Sequence, residues 1–321
     1  METEDYWIYE NKIIFRYNYN GDISQYYHII DKYSEILFTN YDNIYKIINE
    51  HNMHYGEFPV KYIMPYCSEF NQPIIISENI TRITFGDRFN KIVSIHKNVT
   101  HLTFGNNFNQ KIIIPQNVTH LTFGRKFNQQ VIIPDNVTHL TFYENFNPLN
   151  KISNNITNLI INNNYNKEIK IPENITHLTC KSCYDSSFDQ LNKLPINLTH
   201  LTIGKYFNPF IVLPNIKYIR LNCNNVNFME FLPNSVEELV LENEFNLELN
   251  NLPNSVKKIS FYGNNYDKEI NCLPEFIEYI RLNKSYEKQI KKFPLNLKII
   301  ECYEKYKYID DFKDKYNVIT Y

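Results

Sequence analysis

Residues 98–116 read NVTHLTFGNNFNQKIIIPQ, and residues 117–135 read NVTHLTFGRKFNQQVIIPD. Further units of 19 residues open at Asn79, Asn136 and Asn155, and the next unit starts at Asn174. A fixed period of this length is the sequence signature of a solenoid. A unit of 19 residues is too short for a strand, a full helix and two loops. Each coil is therefore predicted to hold one short strand, a turn and a second extended or 3₁₀ stretch, as in short leucine-rich repeats.

The repeats continue on both sides of this block with looser spacing. A weaker unit precedes it at residues 60–77, and an insertion near residues 182–187 lengthens the unit that contains Cys180. Later units open 18 to 23 residues apart, at Asn197, Asn215, Ser235, Ser255, Phe276 and Asn296. We predict a mainly β, leucine-rich-repeat-like solenoid of about thirteen coils of about 19–21 residues over residues 60–306, with residues 307–321 as a C-terminal cap or tail.

The strand within one unit is marked by alternation. Leu102 and Phe104 alternate with His101 and Thr103, and a period of two places one set inward and the other outward. Gly105 ends the strand, where a glycine is predicted to permit the corner that a solenoid must turn.

A Phe-Asn pair follows the strand in most units. Stacked coils lie about 4.8 Å apart, so equivalent side chains form ladders. The asparagine of each pair is predicted to bond backbone groups at the turn and in the next coil. The phenylalanines are predicted to form an aromatic spine of Phe89, Phe108, Phe127, Phe146 and Phe207.

These units resemble FNIP repeats, a leucine-rich-repeat-like family of amoebae and their giant viruses. The resemblance is carried by Phe-Asn pairs such as Phe108-Asn109 followed by Ile-Pro, as in Ile114-Pro115, and it covers about residues 60–300. It weakens after Asn215, where the pair becomes Tyr266-Asp267 and then Tyr286-Glu287. The resemblance implies a solenoid without enzymatic activity. It also implies an F-box as a frequent N-terminal neighbour.

Residues 1–59 are read as a non-repeating α+β cap that covers the first coil, because solenoids need capped ends. The expected elements are strands within residues 8–19 and 34–39, a turn at Asn20-Gly21-Asp22, and helices at residues 23–33 and 42–50. The alternative is a degenerate F-box, which recruits a ubiquitin ligase. The segment lacks the Leu-Pro that usually opens an F-box.

Composition and charge exclude several classes of protein. The chain has 321 residues, a net charge of -2 and a pI near 6.5, which gives no reason to expect nucleic-acid binding. No apolar run reaches the length of a membrane-spanning helix, so we expect no membrane partner. The acidic start lacks the features of a signal peptide, which predicts a cytoplasmic protein, in the host cytoplasm if viral.

Seven Asn-x-Thr motifs match the glycosylation sequon, but they coincide with the repeat starts and are assigned to the turn into the strand. Cys180 and Cys302 take the inward phenylalanine position, and Cys180-Lys-Ser-Cys183 is a lone CxxC. Reduced buried thiols are favoured, with a local metal or redox role for the CxxC left open. No phosphate loop or nucleophile motif occurs, so we predict no catalytic residues, cofactor or metal.

Five histidines share one outward repeat position: His101, His120, His139, His177 and His200. Stacked imidazoles can in principle share a metal, or repel one another when protonated, which would give a pH response at about 6 to 7. A straight ladder does not form a tetrahedron, so a surface or general binding role is preferred.

The outward residues are nearly uniform up to Thr202 and varied from Lys217 onward. Mixed charge with Tyr and Arg is typical of protein interfaces. We therefore predict a monomeric, non-enzymatic scaffold that binds an unknown protein partner. Its face consists of His101, His120, His139, His177, His200, Tyr218, Arg220, Glu238, Lys258, Tyr279 and Arg281. The alternative is a ubiquitin-ligase substrate adaptor that uses residues 1–59.

Overall fold

The computed structural model describes residues 5–39, 68–148, 152–162, 171–180, 194–204, 213–222, 232–263 and 265–321. The chain divides into two compact units, Met1–Ile161 and Asn162–Tyr321. Helix is confined to α1 at Tyr27–Ile30 and to 3₁₀ turns at Ile23–Tyr26 and Ile309–Asp311 within these ranges. Over the same residues, the structure contains no helix with the length and apolar character needed to cross a membrane.

The first unit contains ten strands: β1 Tyr6–Tyr9, β2 Lys12–Phe15, β3 Glu35–Phe38, β4 Arg82–Thr84, β5 His101–Thr103, β6 His120–Thr122, β7 Gln130–Val131, β8 His139–Phe142, β9 Asn147–Pro148 and β10 Asn158–Ile161. β1 and β2 form an antiparallel hairpin. From β2 the main sheet runs parallel through β3, β4, β5, β6, β8 and β10. β7 and β9 pair separately as a short parallel ladder.

The second unit contains eight parallel strands: β11 His177–Cys180, β12 His200–Ile203, β13 Tyr218–Leu221, β14 Glu238–Leu241, β15 Lys258–Phe261, β16 Tyr279–Arg281, β17 Ile299–Cys302 and β18 Asn317–Thr320. Between Arg82 and Cys302, twelve coils of the described chain each contribute one strand to a main sheet. The predicted β solenoid with one short strand per coil is therefore confirmed.

Stacked aromatic rings fill the first unit. Phe89, Phe108 and Phe127 stack at centroid distances of 6.1 and 6.0 Å, which confirms the predicted spine over these coils. Phe146 continues the packing against Phe142 at 4.5 Å, and Phe207 lies outside the described residues. Phe85, Phe104 and Phe123 form a second column, with ring centroids 5.3 and 5.7 Å apart. Alternation predicted that these residues point inward, but not that their rings stack.

The Phe-Asn asparagines join successive coils, as predicted. The backbone N–H of Asn109 donates to the side-chain oxygen of Asn90 at 2.9 Å, and that of Asn128 donates to Asn109 at 3.0 Å. The sequon asparagines also join successive coils, at another corner. The side-chain amide of Asn117, for example, donates to the carbonyl of Lys97 at 2.9 Å. The structural interpretation of these motifs is confirmed, since the amide nitrogen that a glycan would occupy is used between coils.

The described part of the N-terminal segment differs from the non-repeating cap that was predicted. Tyr19-Asn20 acts as a Phe-Asn pair: the Tyr19 ring stacks on Phe70 at 6.1 Å, and Asn20 Oδ1 accepts from the N–H of Asn71 at 2.8 Å. β2 and the Tyr19-Asn20 pair therefore form a coil of the solenoid. β1 pairs with β2 on the side away from β3.

β3 supplies the strand for the coil that continues at Phe70. Phe38 stacks on Phe70 at 3.9 Å, as Phe104 does on Phe108 within one coil. The predicted strands near β2 and β3 are confirmed, whereas the helix predicted at residues 23–33 is a 3₁₀ turn followed by the short α1. The predicted helix at residues 42–50 and the domain boundary at residue 60 lie outside the described residues.

The strand-end glycines have a different role from the one predicted. A Cβ on Gly105 would lie 2.3 Å from the carbonyl oxygen of Gly86, and one on Gly124 would lie 2.3 Å from that of Gly105. Among the described glycines, a left-handed φ occurs only at Gly263. Gly105 and Gly124 are therefore required by the close approach of successive coils, not by a corner that only glycine can turn.

We expect Phe108→Ala to lower the free energy of unfolding by about 3–5 kcal/mol, because it opens a cavity between two stacked rings. Phe276→Ala is the matched control, since that ring is 55% exposed and its removal should cost less than about 0.5 kcal/mol. Urea unfolding followed by circular dichroism measures both. Equal destabilisation by the two variants would contradict the aromatic columns as the core of the first unit.

Candidate functional site

The outward side of the strands carries two columns of side chains. In the first unit, the first column contains Lys12, Glu35, Arg82, His101, His120, His139 and Asn158. In the second unit it contains His177, His200, Tyr218, Glu238, Lys258, Tyr279 and Ile299. Nine of the eleven predicted face residues therefore lie in this column. Arg220 and Arg281 belong to the second column, two residues further along their strands.

The histidine rings stack face to face. Centroids of His101 and His120, and of His120 and His139, are 4.0 Å apart with interplanar angles of 13° and 12°. His177 and His200 repeat this geometry in the second unit at 4.0 Å, and Tyr218 stacks on His200 at 5.4 Å. The predicted ladder is thus formed over these residues.

A threonine beside each histidine determines which ring nitrogen carries the proton. The Thr119 hydroxyl donates its hydrogen to the carbonyl of Thr100 at 3.2 Å, and its oxygen lies 2.9 Å from Nδ1 of His120. Because the hydroxyl has one hydrogen, it accepts from the ring, so Nδ1 is the protonated nitrogen. The same pair of contacts fixes His101, His139 and His200. Nε2 of each ring remains a hydrogen-bond acceptor.

Burial lowers the pKa of His101 and His120 to about 4, with further lowering from Arg82 and the neighbouring histidines. Burial also lowers the pKa of His177 and His200. His101 and His120 are therefore neutral at pH 7, and their titration lies well below the pH of 6 to 7 that the sequence suggested. Parallel rings also direct their Nε2 lone pairs side by side, which does not suit tetrahedral coordination. No group of three His, Cys, Asp or Glu side chains among the described residues is arranged to hold a metal.

Arg220, in the second column, is less exposed than the sequence predicted. This side chain is 2% exposed, and its Nε donates to Glu242 Oε1 at 2.5 Å. The Tyr262 ring lies 5.6 Å from the guanidinium. Side chains of the two following coils thus cover Arg220, so it supports the face and does not contact solvent.

Arg281 is partly accessible and sits in an aromatic cluster. Its guanidinium lies 4.3 Å from the Tyr262 ring and 4.8 Å from the Tyr321 ring, and it pairs with Glu301 at 3.0 Å. The Tyr279 hydroxyl also donates to Glu301. Burial and this carboxylate raise the pKa of Tyr279.

A charged ladder borders the face in the second unit. Glu237 lies 3.2 Å from both Lys217 and Lys257, and Lys298 lies 2.7 Å from Glu278. These residues take the position of the threonines in the regular coils. The alternating signs recur in the sequence at 20- and 21-residue spacing, which is the signal from which this ladder could have been predicted.

Cys180 and Cys302 are free and buried, as the inward phenylalanine position predicts, whereas the free Cys272 is exposed. Burial raises the pKa of the Cys302 thiol, which keeps it protonated. Cys183 lies outside the described residues, so the CxxC remains a prediction.

Comparison with known proteins supports the repeat assignment. The model of the FNIP repeat matches residues 70–107, 91–126, 108–144, 229–264 and 246–285. A solved structure described as CroV588, a circular leucine-rich-repeat protein of a giant virus, is similar with a TM-score of 0.61 over 93% of this chain at 24% identity. The chain spans about half of that protein, 48% of its length. At this identity the likeness concerns the fold alone.

A leucine-rich-repeat protein from Bacteroides ovatus is 15% identical over 77% of this chain and 82% of its own, but its TM-score of 0.24 is too low to support an argument. No curated protein matches the chain significantly.

We expect the histidine stack to make the fold sensitive to acid. Above about pH 7.5, a pH unit above the ordinary histidine pKa, His101 and His120 are neutral in both the folded and the unfolded chain, so they add no pH dependence. As the pH falls from about 6.5 to 4, the unfolded chain takes up protons that the folded stack does not, and stability falls. His120→Asn, which copies Asn158 at the same position, should reduce the loss of melting temperature over this range.

His28→Asn is the matched control, because His28 is exposed in α1 and lies outside the column. Melting curves between pH 7 and pH 4 of both variants and the parent chain give the comparison. If His120→Asn and His28→Asn have the same pH dependence, the stack does not contribute to acid sensitivity.

Proposed function

The chain carries FNIP repeats in a leucine-rich-repeat-like solenoid, and from this premise we propose that it is a non-enzymatic scaffold that binds a protein partner. The binding surface is the first outward column of the second unit, from Tyr218 to Tyr279. Solenoids present such rows as extended recognition surfaces.

The observation that carries this proposal is the contrast between the two sides of the same strands. The inward partners Ile219, Leu239 and Ile259 are equivalent apolar residues in register, and all are fully buried. The outward partners Tyr218, Glu238 and Lys258 change in chemistry at every coil. The stack does not require this variation, because the histidine ladder forms without it.

The exposed groups of this column suit a protein partner. The side chains of Lys258 and Glu238 are 58% and 37% exposed, and 3.8 Å separates their charged atoms, so their mutual attraction is weak. Tyr218 extends the histidine stack and offers an aromatic ring beside these charges. Aromatic residues are enriched in protein interfaces, and rim charges direct the choice of partner.

Arg281 and Tyr279 supply a second anchoring point two coils beyond Glu238. Their guanidinium and hydroxyl are held by Glu301, so they are ordered before a partner arrives. Ordered side chains lose less conformational entropy on binding. The histidine coils β5, β6 and β8 lack this variety, and we assign them to extension of the scaffold.

The adaptor alternative gains no support from residues 5–39. They form β1, β2, β3 and short helical turns, and β2 and β3 pair within the sheet of the first unit, whereas an F-box is a bundle of helices. Co-purification of the full chain with the ligase subunit that binds F-boxes would revive this alternative.

Photo-crosslinking tests the proposed surface. A benzophenone side chain in place of Tyr218 should form an adduct with one protein of the native cell lysate, whereas the same group in place of Ile196 should not. Ile196 is the matched control because it is 78% exposed in the same unit and lies outside the strands.

Competition makes the test specific. Excess parent chain should suppress the Tyr218 adduct, and the variant Tyr218→Ser with Lys258→Ser should suppress it much less. Suppression by that variant equal to the parent chain, or equal adducts from Ile196, would place recognition elsewhere.

A further inference from the structure

A cavity of about 1000 Å³ lies in the second unit, around the chain that connects β14 to β15. Its lining comes mainly from residues 246–254, with Leu232 and Asn234 from the coil before and Lys268 from the coil after. Binding sites for small molecules range from about 300 to 1000 Å³, so this cavity has room for an extended ligand. Among the described residues that line it, none belongs to the strands that carry the proposed protein-binding column.

A hydrogen bond that joins later coils is not made beside this cavity. The Tyr286 hydroxyl donates to the carbonyl of Lys268, in the coil before it, at 3.1 Å. Tyr306 repeats this contact one coil later. Tyr266 takes the same repeat position and is 5% exposed, but within the described chain its hydroxyl has no hydrogen-bond partner. By the same geometry this hydroxyl is directed at Leu247, which lines the cavity.

A second hydroxyl on the other flank of the same stretch is also unpaired. The Ser235 hydroxyl donates to the carbonyl of Ile216 at 2.8 Å. Ser255 takes the same repeat position and follows Asn254 of the lining, yet its buried hydroxyl has no partner in the part of the chain that the structure describes. Buried polar groups are normally hydrogen-bonded. Two unpaired buried donors beside one cavity therefore favour a ligand with acceptor groups.

Amide groups dominate the polar lining of the cavity. Each asparagine amide offers two donor hydrogens and an acceptor oxygen. Four of the five lining asparagines stand outside the Phe-Asn and repeat-start positions that join coils, and all four are exposed: Asn234, Asn250, Asn251 and Asn254. The repeat architecture therefore does not account for these four amides.

The charged groups of the lining balance each other. Glu248 and Lys268 carry one charge of each sign. Glu248 accepts from the Asn250 amide at 3.0 Å, and Lys268 pairs with Asp267 at 3.3 Å. The described lining thus has no excess charge for an ionic ligand. It suits a neutral ligand that carries many donors and acceptors.

We propose that this cavity binds a neutral oligosaccharide. Each sugar hydroxyl both donates and accepts, as the amides and the unpaired hydroxyls require. The C–H groups of the sugar rings would pack on Leu232, Leu252 and Pro253 of the same lining. A peptide fits less well, because protein interfaces are enriched in aromatic residues and none of the described lining residues is aromatic.

A glycan array probed with the full chain tests the proposal. We expect binding to neutral oligosaccharides in preference to sialylated or sulfated ones. Calorimetric titration of the best neutral glycan then gives its affinity. Asn234→Ala with Asn254→Ala should weaken that affinity about tenfold, because each variant side chain loses its hydrogen bonds to the ligand. Ile196 and Leu295 occupy this repeat position in other coils, so an apolar side chain there is compatible with the fold.

Gln116→Ala with Asn215→Ala is the matched control. Both residues are exposed at the same repeat position, in coils that do not line the cavity. This double variant should bind the glycan like the parent chain, and melting curves check that both double variants are folded.

Three results would overturn the proposal: no binding to any neutral glycan, a preference for charged glycans, or equal loss of affinity in the two double variants. Selection of peptides from a displayed library at this cavity, without glycan binding, would assign it to a peptide and would also overturn it. The variants leave Tyr218 and Lys258 unchanged, so this test and the test of protein binding fail independently.

Discussion

Each coil of the first unit is held on the one before it by polar side chains at its corners. The strand ladder satisfies backbone groups only along three or four residues of a coil, so the backbone groups at the corners need other partners. Asn117 reaches the carbonyl of Lys97, Thr119 reaches that of Thr100, and Asn109 Oδ1 receives the N–H of Asn128. These three bonds recur with the repeat, and they keep every ladder in register.

Because the coils stack in register, each position of the repeat forms a column of neighbouring side chains. This arrangement restricts the charges that neighbours in one column can carry. Equal charges directly opposite on adjacent strands repel. The regular coils of the first unit meet this condition with neutral residues, Thr, Asn and His, and the pKa of His101 and His120 is lowered. In the earlier coils Lys12, Glu35 and Arg82 alternate in sign. The second unit meets it by alternation, since Lys217, Glu237 and Lys257 stand in the threonine position. The sequence difference between the histidine coils and the later coils thus reflects two ways of satisfying one rule.

Much of this architecture follows from the sequence, because the period and the alternation repeat. The Phe spine and the inward Cys180 were predicted on that basis. The coil of β2 was missed because Tyr19-Asn20 replaces Phe-Asn, and the coil of β3 because residues 40–67 separate Phe38 from Phe70. A repeat can be detected by its spacing only where the number of residues between equivalent positions stays constant.

The solvent exposure of an outward side chain was harder to predict than the side of the sheet on which it lies. Alternation correctly placed Arg220 on the outward side, yet Glu242 and Tyr262 from the next two coils cover it. Which side chain covers which depends on its length and charge in neighbouring coils, and the repeat pattern does not encode these. The histidine pKa values were missed for the same reason, since stacking at 4.0 Å removes solvent that a lone surface histidine would keep.

Hydrogen-bond capacity distinguishes the two outward faces. In the first unit, Nδ1 of His101 and His120 is used on threonine, so these two rings offer a partner an acceptor at Nε2 and no donor. The second unit offers donors and acceptors at Lys258 and Glu238, with an aromatic ring at Tyr218. A surface with both kinds of group discriminates between partners, because a wrong partner leaves a donor or acceptor unpaired. A row of identical acceptors lacks that capacity, which is why we assign recognition to the varied column.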